Sequence, residues 1–175
     1  INEGHAAFLT LELLREELAK GLSREQAERA VRKQCVFSTH TPVPAGHDRF
    51  PADVVEFTLR PYVEGMGMSV GELMEYGNAP NREQKNEFTM TILGLKLSRC
   101  SNAVSKKHGE ISRMMWKDLS PGRRTSAIRI GSVTNGVHVQ SWAGRTSWEF
   151  WERHNSHEWK EHLTDPKFWQ HVSDP

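Results

Sequence analysis

Three short polar clusters hold the residues best suited to chemistry: Asn2-Glu3-Gly4-His5, Ser38-Thr39-His40-Thr41 and Thr134-Asn135-Gly136-Val137-His138. Each follows an apolar, strand-like run or opens a helix. Imidazole and carboxamide side chains both donate and accept hydrogen bonds, which is what a hydroxyl-rich ligand such as a sugar needs. Glu3 adds an anionic acceptor, and Gly4 admits a close backbone approach or a positive φ. In "THTPVPAGHDRFP", Pro42 and Pro44 follow His40 at once. Their fixed φ and missing N–H stiffen the loop, so little entropy is lost when His40 meets a ligand. A competing chemistry is metal ligation by His5, His40 and His47, as in a metal-dependent hydrolase. No H-E-x-x-H or C-x-x-C spacing supports it. There is no Ser/His/Asp or Cys/His constellation and no glycine-rich phosphate loop.

The elements that must position these clusters follow from periodicity. Leu11, Leu14 and Leu18 recur at helical spacing after a strand-to-helix transition at the start of the chain. Gly21 stops that helix, and "SREQ" restarts one with a capping box, Ser23 with Gln26. The strand Cys35–Thr39 then completes a strand–helix–helix–strand order that suits a parallel sheet. A helix over "ADVVEFTLRPYVEGMG" is expected to kink or end at Pro61. A second capping box, Ser69 with Glu72, opens the next helix. "EFTMTILGLKLSRCSNA" is apolar nearly all round, as a central buried helix would be. Ile111, Met115 and Leu119 mark another helix, "SPGRRTS" a loop, and Ile128 and Ile130 a strand that turns at Asn135-Gly136. In an open parallel sheet, loops after the strand carboxyl ends line the ligand crevice, so the three clusters are expected to converge.

Other features are read more plainly. His154, His157 and His162 sit among charges as a solvated face. Lys106, Lys107, Arg113, Lys117, Arg123 and Arg124 read as a solvated or domain-docking stretch, with phosphate binding the lesser reading. Trp148 and Trp151, at i and i+3, point to packing against something large rather than to sugar stacking. The 175 residues carry a net charge of +1, with 37% hydrophobic and 26% charged residues. That composition fits a globular chain and gives no reason to expect nucleic acid or an anionic membrane as partner. No apolar run reaches the roughly 18 residues of a membrane span. Cys35 and Cys100 form no C-x-x-C pair, consistent with reduced thiols in a cytoplasmic protein. The chain starts at Ile1 and ends on "SDP" after a helix-like stretch, as a piece of a longer polypeptide would.

"NEGHAAF", "THTPVPAGHDRFP", "NAVSKKHGEISRMMW" and "VTNGVHVQSW" together resemble the α-glucan (glycogen/starch/maltodextrin) phosphorylases, the bacterial type above all. The four blocks run in order over nearly the whole chain. The resemblance implies an α/β fold: part of a Rossmann-like domain of the glycosyltransferase B architecture, helix-rich with a short parallel sheet. Residues 1–139 would belong to the late amino-terminal catalytic domain, and 140–175 to the crossover toward the carboxy-terminal one. It implies glycosyltransferase activity in the parent protein: phosphate attack on an α-1,4-glucan, releasing glucose 1-phosphate with retention. Pyridoxal phosphate would supply the acid–base chemistry through its own phosphate. His40 matches the histidine on the 6-hydroxyl of the transferred glucose, with Thr41 beside it. Glu3 and His5 match an acid and a histidine beneath the anomeric carbon, although family members often carry Asp-Thr-His where this chain has Glu-Gly-His. An asparagine that also meets the 6-hydroxyl falls on Asn135 or, in a stricter alignment, Ser132.

The cofactor lysine belongs to a carboxy-terminal motif that these residues do not contain. No cofactor-binding residue is therefore expected here, and the isolated piece is expected to be inactive. Its partners would be α-1,4-glucan, inorganic phosphate and the carboxy-terminal domain, with self-association through apolar surface that this domain would otherwise cover. The rival from another class is a non-catalytic sugar-binding or interaction module.

Overall fold

The computed structural model describes residues 1–79, 86–155 and 157–173. The chain forms two compact units, Ile1–Thr134 and Asn135–Pro175.

In the first unit a single parallel bridge joins Asn2 to Ser38. A 3-10 turn, His5–Phe8, then leads into α1 (Leu9–Ala19), α2 (Arg24–Gln34) and β1 (Val36–Thr39). Gly21 takes a φ of 83°, the left-handed geometry that closes α1. At the start of α2 both halves of the capping box are present: Ser23 Oγ accepts from Gln26 N and Gln26 Oε1 accepts from Ser23 N. β2 (Arg49–Pro51), α3 (Ala52–Glu64) and α4 (Val70–Gly77) follow, and α4 is opened by the Ser69–Glu72 box. Then come β3 (Glu87–Thr89), α5 (Met90–Lys96), β4 (Cys100–Ala103), α6 (Lys106–Met115) and β5 (Ile130–Ser132).

The architecture is helix-rich α/β around a short parallel sheet of order β1-β4-β5. Its register pairs Val36 with Cys100 and Thr39 with Ala103, then Ser101 with Ile130 and Ala103 with Ser132. Thr39, Ala103 and Ser132 therefore share one carboxyl edge. β2 and β3 form a separate antiparallel pair, Arg49 opposite Thr89, which delivers the chain to α5. Helix α5 stands between two apolar clusters. Leu93 joins Leu11, Leu14, Val31, Leu73 and Phe88, whereas Ile92 joins Ala103, Trp116, Ile128 and Ile130.

Two expectations from the sequence are corrected and a third is narrowed. The run 87–103 is not one helix: only Met90–Lys96 is helical, and Cys100–Ala103 is the central strand. All-round apolarity is shared by buried helices and buried strands, and pairing with β1 on one side and β5 on the other decides the matter. Pro61 does not end α3, which runs on to Glu64. Of the two outcomes expected there, a kink or an end, the end does not occur. The expected amino-terminal strand is reduced to the Asn2–Ser38 bridge. The helix expected from Ile111 and Met115 is present as α6, and the face it buries is the small one of His108, Gly109 and Ser112, against β5. A Cβ on Gly109 would lie 3.3 Å from Ser132 Cβ.

The second unit holds α7 (Val139–Trp142), α8 (Arg145–His154) and α9 (Pro166–Ser173). Trp159 is fully buried there, with the rings of Trp148, Trp151 and Trp169 at 4.8, 5.1 and 6.3 Å. The i, i+3 spacing of Trp148 and Trp151 thus serves packing, as expected. His154 Nδ1 meets Phe150 O at 2.8 Å, and His162 lies 3.7 Å from Asp165. The side chain of His157 lies outside the described ones.

Helix and sheet approach closely at Gly94, where an added Cβ would sit 2.4 Å from the buried Phe37 ring. Gly94→Ala is expected to destabilise the first unit by about 1–3 kcal/mol through overpacking. Gly71→Ala, whose Cβ would meet nothing nearer than 3.9 Å, is expected to be neutral or to gain up to about 1 kcal/mol from helix propensity. Urea denaturation of both variants checks the contrast.

Candidate functional site

The first two polar clusters meet at the carboxyl edge of β1. The Asn2–Ser38 bridge lays the start of the chain alongside β1, and Ser38 N donates to Ile1 O at 2.9 Å. Gly4 then turns with φ 85°, a backbone geometry that side-chain-bearing residues rarely adopt. A Cβ there would also lie 3.3 Å from Asp48 Oδ2. This turn swings Glu3 over the strand end.

Glu3 is the centre of the arrangement. Its Oε1 accepts from Thr39 Oγ1 at 2.7 Å, and its Oε2 accepts from the backbone N–H of His40 at 2.9 Å. Thr91 Oγ1 on α5 approaches Oε1 at 3.4 Å, and His47 Nδ1 lies 3.2 Å from the same oxygen. Nδ1 also contacts Thr91 Oγ1 at 2.8 Å. The Glu3 side chain is 11% exposed and that of His47 not at all. Burial alone would push the Glu3 carboxyl up. Hydrogen bonds from His47, Thr39, the His40 backbone and Thr41 outweigh it and bring the group down to about 2. The carboxylate is thus ionised and held by the residues around it.

His40, by contrast, is exposed. Its Nε2 meets Asn2 Oδ1 at 2.6 Å. A carboxamide oxygen only accepts, so Nε2 is the donor in this contact, and in the neutral ring Nδ1 then presents a lone pair. That ring position can take a hydrogen bond from an incoming hydroxyl. His5 is exposed in the 3-10 turn after Gly4 and makes no hydrogen bond or ion pair with the described residues. Ser38 Oγ donates to Asn102 Oδ1 at 3.1 Å, tying β1 to β4 just below the edge.

The third cluster divides at the unit boundary. Thr134 ends the first unit and Asn135 opens the second. Ser132 closes β5 at the same edge as Thr39, exposed. In the second unit His138 Nδ1 lies 2.7 Å from Ser141 Oγ.

Sequence reasoning missed the role of His47, which it weighed only as a metal ligand. The ring is buried edge-to-face against Trp116, centroids 4.9 Å apart, with Nε2 lacking a hydrogen-bond partner among the described residues. Nothing in "AGHDRF" separates such a histidine from an exposed one. Among the described residues, no group of three His, Cys, Asp or Glu side chains is arranged to hold a metal ion. Nor do the described lysines fit a pyridoxal aldehyde. Lys96 is the one drawn from solvent, and its Nζ donates to the carbonyls of Glu75 and Asn78 at 2.5 and 2.6 Å.

No family model matches the chain. It is 37% identical over 142 residues to the maltodextrin phosphorylase of Thermococcus litoralis, covering 81% of this chain and 16% of that protein. It is 36% identical over 184 residues to the glycogen phosphorylase of Mycobacterium tuberculosis, covering 100% of this chain and 21% of that protein. The glycogen phosphorylase of Aquifex aeolicus is 34% identical over 142 residues, 81% of this chain and 20% of that protein. The chain belongs to the glycogen and maltodextrin phosphorylase family. It spans between 16% and 21% of the length of these curated relatives. The family assignment drawn from the four sequence blocks is thereby shown, and those blocks supply the Glu3, His40 and α6 segments described above.

The depressed Glu3 carboxyl has a thermodynamic consequence. Its folded value of about 2 lies below the ordinary 4.5, so its stabilisation is complete above pH 4.5 and is lost as pH falls through about 2. A shift of this size corresponds to about 3 kcal/mol. Glu3→Gln is expected to be less stable than the parent chain at pH 7, with the difference shrinking below pH 4. Denaturation series at several pH values check this, and a gap unchanged down to pH 2 would contradict it.

Proposed function

We propose that this chain is part of the amino-terminal, Rossmann-like catalytic domain of an α-1,4-glucan phosphorylase of the glycosyltransferase B architecture. In this reading the enzyme is cytoplasmic and converts glucan and phosphate to glucose 1-phosphate and a shortened glucan, with retention. The observation that supports it most is an exposed His40 whose backbone N–H and Nε2 both have partners, while Nδ1 has none among the described residues. The loop carries this side chain at the carboxyl edge of a parallel sheet, where ligands of open α/β sheets bind.

In this role His40 accepts a hydrogen bond from a hydroxyl of the transferred glucosyl unit and thereby orients the reacting ring. Asn2 sets the tautomer. Glu3 acts as a positioning residue: it anchors the His40 backbone and keeps Thr39, Thr41 and His47 in register. His5 supplies a second hydroxyl-facing group beneath the sugar, and Asn135 or Ser132 a third. Pyridoxal phosphate, when bound in the complete enzyme, supplies the proton-transfer chemistry. The carboxy-terminal domain would hold it.

A binding module without catalysis would use the same edge. It is distinguished by what happens to turnover rather than to affinity. In the complete enzyme, His40→Ala is expected to lower kcat/KM for glucan phosphorolysis. Removing one partner of a hydroxyl hydrogen bond costs roughly 1–3 kcal/mol, or about 5- to 150-fold. Release of glucose 1-phosphate is the readout, and unchanged kcat/KM would overturn the assignment. The 175-residue chain alone, given pyridoxal phosphate, is expected neither to retain the cofactor nor to release glucose 1-phosphate.

A further inference from the structure

At the opposite, amino-terminal end of the parallel sheet lies a second concavity of about 490 Å³. Cys100 and Ile130, the first residues of β4 and β5, form part of its wall. Arg99, Arg123 and Arg129 also line it, as does Lys96, and no aspartate or glutamate is among the lining residues. Lys96 is already taken up by two backbone carbonyls. The three arginines make no ion pair with the described residues. Their backbones are nonetheless fixed. Arg99 N donates to Cys35 O at 3.0 Å, and Arg123 N closes a turn on Ser120 O at 3.2 Å.

Like charges gathered around one concavity repel each other unless an anion sits among them. Guanidinium groups are the side chains best shaped for that anion, since their forked N–H pairs match the oxygens of a phosphoryl group. A further sign of an incomplete site is Ser98, which lines the same cavity. It is 8% exposed and its hydroxyl finds no hydrogen-bond partner among the described residues. Buried hydroxyls seldom stay unpaired.

We infer that this cavity is an anion site for a phosphoryl group, free or carried as a monoester, separate from the His40 edge. Arg99, Arg123 and Arg129 supply the charge. The occupant needs no contact with Glu3 or His40, so the inference stands whether or not the proposed sugar site does.

Cys100 provides the test. Its thiol is free and exposed at the cavity wall, whereas the Cys35 thiol is free and buried. The rate of Cys100 alkylation by iodoacetamide, a neutral reagent, is measured on the full chain against increasing inorganic phosphate, with chloride holding ionic strength constant. A parallel series uses glycerol phosphate. Saturable protection is expected, about tenfold at ten times the dissociation constant by mass action. The anion that protects at lower concentration identifies the form preferred. The double variant Arg123→Ala/Arg129→Ala is expected to lose the protection, and His40→Ala to keep it. Unreactive Cys35 in each variant confirms that the fold is intact. Rates equal to the chloride control for both anions would overturn the site, as would full protection in the double arginine variant.

Discussion

The site at the carboxyl edge of β1 depends on one buried carboxylate. Withdrawing Glu3 from water is costly, and the cost is offset only because hydrogen-bond donors converge on it. They come from different parts of the chain: Thr39 at the end of the strand, the His40 backbone just beyond it, His47 from the proline-stiffened loop and Thr91 from α5. A single side chain, three residues into the chain, thereby fixes where the strand stops and the loop begins.

This division of labour accounts for the exposure of His40. Its neighbours are inward-facing and satisfied, and its own backbone and Nε2 are committed, so one ring nitrogen remains for a ligand. Rigidity of this type reduces the ordering cost of binding. It also explains the glycine at position 4, since only a left-handed turn allows the chain to double back from the Asn2 bridge while leaving room for Asp48. Membership in the phosphorylase family and the placement of this edge are mutually consistent, with the proposed sugar-facing role resting on the geometry of His40.

Much of this was legible in the sequence where the signal is local. Capping boxes at Ser23 and Ser69 and the left-handed stop at Gly21 depend on neighbours within a few residues, and each appears as expected. The meeting of Asn2–His5 with Ser38–Thr41 followed from strand order. What escaped was set by distant partners. Cys100–Ala103 becomes a strand because β1 and β5 flank it, not because of its own residues. The buried face of α6 is chosen by the closeness of Ser132 to Gly109. His47 is drawn inward by Glu3, Thr91 and Trp116, which lie 44, 44 and 69 positions away in a sequence that gives no hint of their contact.

Amide hydrogen exchange at His40 tests the central claim most directly. This residue is exposed, and the carboxylate of Glu3 is the acceptor for its N–H. The expected result is slow exchange in the parent chain and fast exchange in Glu3→Ala, with the amides of β1 still protected in both. Exchange at the unprotected rate in the parent chain, or identical rates in the two proteins, would contradict the account.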